Sequence, residues 1–200
     1  MCSSDLLVDT HGRGVERITE KGVVVDGHEY ELDCLIYATG FEVGTDFTRR
    51  AGYEIHGRDG LTLTRKWADG VRTLHGMHNR GFPNCLNMGP LHSAFTVNYP
   101  HSLDEQSKHL AYIIKHAIDN GVRTFQPTEA AEQEWVDTII RSARMGRQFL
   151  EECTPGYYNN EGQLSDIAAQ NGFFGGGSIL FFQMMKDWRE KGSLDGLEVE

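Results

Sequence analysis

The chain has 200 residues, 39% of them hydrophobic, and a formal net charge of −10 at pH 7. Its length allows one domain, or one domain and part of a second, with enough apolar residues for a buried core. The negative charge argues against a nucleic-acid partner, and no apolar run approaches the ~20 residues of a membrane-spanning helix.

The first 40 residues alternate short β-rich runs with turn residues. Asp26-Gly27 between two such runs predicts a hairpin, because both central residues of a type I′ turn need a positive φ. Cys34–Ala38 is apolar without alternation, which predicts a strand covered on both faces and ended by Gly40. The predicted strands are Leu6–Val8, Val15–Ile18, Val23–Val25, Glu29–Leu32 and Cys34–Ala38.

Glycines between residues 41 and 60 predict a loop, which contains the basic pair Arg49-Arg50. This pair fits either a solvated surface or a contact with a cofactor phosphate. Beyond the loop, short strands are predicted at Gly60–Trp67, where leucines alternate with threonines, and at Arg72–Met77 and Cys85–Met88.

The second half of the chain is predicted to be mainly helical, with apolar residues at helical spacing and with capping residues at the ends. The predicted elements are a helix with Ser102 as N-cap that stops at Asn120-Gly121, a strand at Val122–Phe125, a helix from Glu129 to about Glu152, a helix over Ser178–Lys191, and a strand or tail at Leu197–Val199.

Two loops of this half are candidates for ligand binding. The break at Gly89-Pro90 leads into the first long helix, and such a strand-loop-helix arrangement suits either a polar ligand edge or an ordinary crossover. Cys153–Gly162 carries tyrosines and asparagines, whose flat bodies and polar tips could hold a ribose or a ring. A plain surface loop is an equally good interpretation of this second stretch.

Several familiar binding motifs are incomplete or missing. His75 and His78 form an H-x-x-H pair without a nearby carboxylate or cysteine, so we expect no metal site. Three glycines at 175–177 precede a helix without the order of a P-loop. The sequence contains no G-x-G-x-x-G, so we expect this chain to lack phosphate-cradling turns of its own.

The four cysteines are widely separated and form no C-x-x-C pair: Cys2, Cys34, Cys85 and Cys153. The first residues do not show the pattern of a secretion signal. We therefore predict reduced thiols in a cytoplasmic protein.

A series of short motifs runs through nearly the whole chain. They are DCLIYATGF at Asp33–Phe41, Lys66-Trp67 with Gly70, Gly81-Phe82-Pro83-Asn84, Gly89-Pro90, the stretch from Asn98 to Asp104, and Gly176-Gly177 followed by Gly192 to Leu197. In this order the motifs resemble flavin-containing Baeyer–Villiger monooxygenases of the cyclohexanone monooxygenase type.

The resemblance implies an α/β fold that is an incomplete two-dinucleotide-binding-domain flavoprotein. Residues 1–40 would end the NADPH-binding domain, and residues 41–200 would be the C-terminal part of the FAD-binding domain with a helical region and a mobile loop. It also implies FAD and NADPH as cofactors and insertion of one oxygen atom from O₂ into a ketone, giving an ester or lactone, with sulfoxidation of thioethers as a related activity.

The family's cofactor-binding positions map onto an interdomain turn, a wall beside the flavin, and a loop that closes over NADPH. The turn is Ala38, Thr39, Gly40 and Phe41; the wall is Gly89, Pro90, Ala94, Phe95, Thr96 and Asn98; the closing loop is Cys153–Gly162, with Asn159 matching a family asparagine. The family's tryptophan in that loop is missing, and Thr154 stands nearest its place. No residue is identified as a general acid, base or nucleophile.

The family's dinucleotide-binding turns and its catalytic arginine would precede Met1, so we predict the C-terminal part of a larger enzyme whose partner is the missing N-terminal half. Two other functions fit the sequence. One is a different flavin-containing monooxygenase that oxygenates nitrogen or sulfur. The other is a non-catalytic, stand-alone binding domain.

Overall fold

The computed structural model of the chain describes residues 7–38, 48, 51–143, 151–152, 167 and 169–200. Its regular elements in chain order are β1 (Arg17–Ile18), β2 (Gly22–Val25), β3 (His28–Glu31), a 3₁₀ turn (Arg58–Gly60), α1 (Leu63–Lys66), α2 (Tyr99–Asn120), β4 (Phe125–Pro127), α3 (Glu129–Ser142), α4 (Ser178–Lys191) and β5 (Leu197–Val199).

The N-terminal part forms an antiparallel sheet in the order β1-β2-β3. Asp26 and Gly27 join β2 to β3 with φ angles of 48° and 74°, so the predicted hairpin is confirmed. Its register pairs Val25 with His28 and Val24 with Glu29. Val24 and Val25 bury their side chains, whereas most of the remaining sheet is exposed.

The predicted buried strand Cys34–Ala38 is wrong. Its backbone has no regular structure, and Ile36 and Tyr37 are 82% and 69% exposed. An uninterrupted apolar run becomes a buried strand only where other strands flank it, and no strand of the described residues pairs with this one. The predicted strand Leu6–Val8 is also not formed at Leu7 and Val8.

The predicted strand Gly60–Trp67 is instead the 3₁₀ turn followed by α1. The Thr62 side chain caps this helix by accepting a hydrogen bond from the Arg65 N–H at 3.1 Å. Because a threonine side chain can cap a short helix, alternating leucines and threonines fit a turn followed by a helix as well as they fit a strand. The predicted strands Arg72–Met77 and Cys85–Met88 are reduced to isolated bridges of Leu74 and Leu86 with His78.

Helix α2 begins before the predicted N-cap. Asn98 caps it through a bond from the His101 N–H, and Ser102 is buried inside the helix. The helix ends at Gly121, which adopts a left-handed φ of 68° and confirms the predicted stop.

Helix α3 starts as predicted, and Ala143 is its C-cap. The helix was predicted to reach about Glu152; residues 144–150 lie outside the described part, and residues 151–152 are helical. Helix α4 and strand β5 are confirmed, and β5 pairs antiparallel with β4. Strand β4 begins three residues later and ends two residues later than predicted.

The main core lies between α2, α3, α4 and the loops that precede α2. Its buried members are Leu74, Met77, Ala94, Leu110, Trp135, Ile139, Phe174, Phe181 and Met185. Trp135 packs against Phe174 with ring centroids 5.6 Å apart, and its indole N–H donates to the His92 carbonyl at 3.0 Å. Among the described residues, no helix is both long and apolar enough to cross a bilayer.

Replacing Thr128 with alanine should destabilise the chain by about 1 kcal/mol, because the Thr128 hydroxyl caps α3 by accepting the Ala131 N–H at 3.2 Å. Urea unfolding measures this change. Thr128→Ser keeps an oxygen at the cap and is the matched control. Equal losses in the two variants would contradict the role of this cap.

Candidate functional site

The predicted flavin-side residues lie in one loop, residues 89–98, which we call the wall loop. It leads directly into α2. Of the other predicted cofactor-binding residues, Ala38 is described and exposed. Thr39, Gly40, Phe41 and Asn159 lie outside the described residues, as does the whole of the predicted closing loop Cys153–Gly162.

The wall loop has two faces. Ala94 is fully buried and its side chain belongs to the main core, so it cannot itself touch a ligand. Phe95 is 51% exposed and stacks on Phe173 with centroids 4.9 Å apart and an interplanar angle of 17°. Val97 is fully exposed. The loop therefore presents flat apolar surface outward from a base in the core.

His92 fixes the wall loop to two other segments, and sequence reasoning missed it. Its ring is buried, with Nε2 2.5 Å from the Gln170 carbonyl and Nδ1 3.0 Å from the Thr73 hydroxyl. Because a carbonyl only accepts, Nε2 carries the proton and Nδ1 accepts from Thr73. Burial lowers the pKa of His92 to about 4, so the ring is neutral.

The tautomer of His92 makes it a fixed connector rather than a catalytic base. Both ring nitrogens are engaged, and the ring has no exposed surface. A single histidine in a run such as Leu91-His92-Ser93 has no sequence signal for this role, because its partners lie 19 and 78 residues away.

Three other histidines lie together in the core. The His75 ring is 5.9 Å from that of His109, and the His78 ring is 6.4 Å from it. Burial lowers the pKa of His78 to about 4 and that of His109 to about 3, so both are neutral near pH 7. Trp135 and Trp188 pack on this cluster edge-on, which makes it part of the core.

The described residues bring metal-ligand atoms of three side chains together only at His101, Asp104 and Glu105, which lie at the start of α2. Lys108 already contacts Asp104 and Glu105 at 2.7 Å each. A lysine ammonium placed there opposes a cation, so we assign no metal to this cluster. Among the described residues, His109 packs beside the H-x-x-H pair, but the ring nitrogens of the three histidines do not come together as metal ligands would.

The wall loop fits one side of a flat ring such as a flavin, since Phe95 and Val97 supply apolar contact area at its tip. It does not fit the pyrophosphate of a dinucleotide, which needs a glycine-rich turn at a helix N-terminus. The sequence carries no G-x-G-x-x-G turn, and the three glycines before α4 lack the order of a P-loop. The basic pair Arg49-Arg50 lies outside the described residues.

Comparison with solved structures gives the class of the fold. The polycyclic ketone monooxygenase from the thermophilic fungus Thermothelomyces thermophila matches with a TM-score of 0.80 and 32% identity, over 96% of this chain and 32% of that chain. The described architecture is thus part of an α/β flavoprotein monooxygenase fold, as predicted. No protein-family model matches the sequence.

The sequence relatives define the family more closely. Pentalenolactone D synthase from Streptomyces exfoliatus is 51% identical over 96% of this chain and 33% of its own length. A Baeyer–Villiger monooxygenase from Stachybotrys chlorohalonatus is 40% identical over 97% of this chain and 31% of its own length. The chain is homologous, over nearly its whole length, to about a third of a Baeyer–Villiger monooxygenase, which confirms the resemblance.

Proposed function

We propose that this chain is the C-terminal part of an FAD- and NADPH-dependent monooxygenase that inserts one oxygen atom from O₂ into a ketone, giving an ester or lactone. The wall loop is the observation that carries the proposal. It combines a base fixed in the core with an exposed apolar tip, at the positions that the resemblance places beside the flavin.

When bound, the flavin supplies the oxygen chemistry. The residues of this chain bind and orient. Phe95 and Phe173 form a stacked apolar surface against which a ketone or the flavin ring can pack, while Thr96 and Asn98 supply polar atoms beside it. A hydrophobic wall of this kind also excludes water from the reacting atoms.

A partner segment is part of the proposal. Leu35, Ile36 and Tyr37 expose large apolar side chains next to the predicted interdomain turn. An exposed apolar run of this kind marks a contact surface. We assign it to the segment that carries the dinucleotide-binding turns, because the chain spans about a third of the length of its relatives.

We place the complete enzyme in the cytoplasm, and the free thiols Cys34 and Cys85 agree with that assignment.

Purified alone, the chain should hold no flavin and show no flavin absorbance, because it has no turn for the pyrophosphate. Put in place of the segment that it matches in pentalenolactone D synthase from Streptomyces exfoliatus, it should give a yellow protein that oxidises NADPH in response to ketones. Absorbance, and ester or lactone formation from a panel of cyclic and polycyclic ketones, measure these two outcomes.

Amines and thioethers are the comparison substrates for this hybrid enzyme. Preference for an amine over every ketone would assign the chain to another kind of flavin monooxygenase. A chain that binds flavin tightly by itself would contradict the need for a partner segment. A hybrid that folds but never binds flavin would contradict the proposed function.

A further inference from the structure

The wall loop is fixed at its base and exposed at its tip. Ser93 and Ala94 have no exposed surface, whereas Phe95 is half exposed and Val97 wholly exposed. The change from buried to exposed takes place between neighbouring residues. Hydrogen bonds at the base therefore determine the direction in which the tip points.

One side chain, Gln106 of α2, makes three of these bonds. Its Oε1 accepts from the Gly89 N–H at 2.9 Å, and its Nε2 donates to the Gly89 carbonyl at 2.9 Å. The same Nε2 donates to the Ser93 hydroxyl at 3.1 Å, and that hydroxyl donates to the Gly89 carbonyl. Gln106 is 1% exposed, so water does not compete for these groups.

A primary amide is required for this arrangement. It is the side-chain group that accepts at one end and donates twice at the other within one plane. Gln106 thereby pairs with both backbone groups of Gly89, as a neighbouring strand would, and holds the peptides on either side of Gly89 in one orientation. A carboxylate could accept from Gly89 but could not donate to its carbonyl.

The anchor continues along α2. Ser102, one turn before Gln106, donates to the Ala94 carbonyl at 3.1 Å. Leu110, one turn after it, is a member of the main core. The buried face of α2 therefore begins with two polar residues that hold the wall loop and continues with mainly apolar residues that pack in the core. The spacing of four residues places all three on one face.

We propose that Gln106 is a positioning residue for oxygen transfer: it sets the direction in which the tip of the wall loop, Phe95 to Asn98, faces the flavin and the ketone. This inference rests on the proposed function. Gln106 touches neither the cofactor nor the ketone, and acts through Gly89 and Ser93. Displacing a reacting group by about 1 Å costs on the order of 100-fold in rate, so small changes in the loop are measurable.

The test uses the hybrid enzyme described above with Gln106→Met, which keeps the length of the side chain and removes all three hydrogen bonds. We expect flavin content to be retained, kcat/KM for the ketone to fall about tenfold, and a larger share of NADPH to be oxidised without product. Backbone hydrogen exchange over residues 89–98 should become faster. The flavin absorbance band should shift relative to the parent.

Gln183→Met is the matched control, because Gln183 is exposed on α4 and bonds only Asp187 among the described residues. It should leave KM, product yield and exchange in the wall loop unchanged. Gln106→Glu loses both donated bonds and places a carboxylate oxygen against the Gly89 carbonyl, so its effect should be at least as large as that of Gln106→Met. Ser93→Ala keeps the pairing of Gln106 with Gly89 and should give a smaller change in the same direction. If Gln106→Met does not fold, Ser93→Ala is the variant that tests the inference.

The outcomes separate this inference from the proposed function. An active parent whose Gln106→Met variant is less stable but has the parent's KM, product yield and spectrum would show a purely structural role and overturn the inference alone. The same conclusion follows if Ser93→Ala is the folded variant and leaves these values unchanged. A parent hybrid without flavin would overturn the proposed function, and the inference with it.

Discussion

Glu132→Ala should destabilise the chain by about 3–5 kcal/mol, among the largest losses from a single substitution, because it leaves a buried cation without its partner. Glu132 is 3% exposed. One carboxylate oxygen accepts from the Lys66 ammonium at 2.8 Å, and the other accepts from the Arg80 backbone N–H at 2.8 Å. Arg72 lies 3.7 Å away.

The state of Lys66 explains the size of this effect. Burial lowers its pKa, and the hydrogen bond and charge of Glu132 oppose that shift. Without Glu132, the ammonium must either remain unpaired or lose its proton, and the Arg80 N–H also loses its acceptor. Each consequence destabilises the folded state.

Urea unfolding of the variants tests this prediction. Glu134→Ala, exposed on the same helix, is the matched control and should change stability by less than about 0.5 kcal/mol. Glu132→Gln keeps an acceptor for Arg80 and should lie between the two. A Glu132→Ala variant as stable as Glu134→Ala would rule out a structural role for this ion pair.

Stability should also fall steeply as the pH drops from about 6.5 to about 4. Burial lowers the pKa of His78 and His92 to about 4 and that of His109 to about 3, below the ordinary value of 6.5. Between these limits the unfolded chain binds more protons than the folded one, so stability decreases with falling pH. Each histidine accounts for of order 3 kcal/mol over this range.

Melting temperatures measured in steps from about pH 8 to about pH 4 would show this loss. His109→Leu removes one titrating group and should make the profile less steep, whereas His28→Gln, on the exposed β3, should leave the slope unchanged. Carboxylates such as Asp104, whose pKa the hydrogen bond from Lys108 lowers, contribute only below about pH 4. A flat profile between pH 6.5 and 4 would contradict buried neutral histidines.

Sequence patterns predicted best where one or two neighbouring residues decide the backbone. Asp26-Gly27 gave the hairpin, Gly121 the end of α2, and Thr128 the start of α3. Prediction failed where the partners are distant. Cys34–Ala38 has the composition of a buried strand, yet no strand among the described residues covers it, and the same apolar run is exposed.

The wall loop shows the same difference between what neighbouring residues decide and what distant residues decide. The motifs from Gly81 to Asp104 contributed to the family resemblance, which the comparisons support. They did not reveal that Ala94 faces the core or that Gln106 holds the base. The four-residue spacing of Ser102, Gln106 and Leu110 indicates a shared helix face. The buried face was predicted from apolar residues alone, so its two polar members were not recognised.

By itself the sequence determined the family, the hairpin and the three long helices, because capping residues, turn residues and short motifs act over a few positions. Only the tertiary structure decided which polar side chains are buried and what they hold. The most distant partners of Gln106, His92 and Glu132 lie 17, 78 and 66 residues away. Burial makes such contacts strong, and folding alone brings them together.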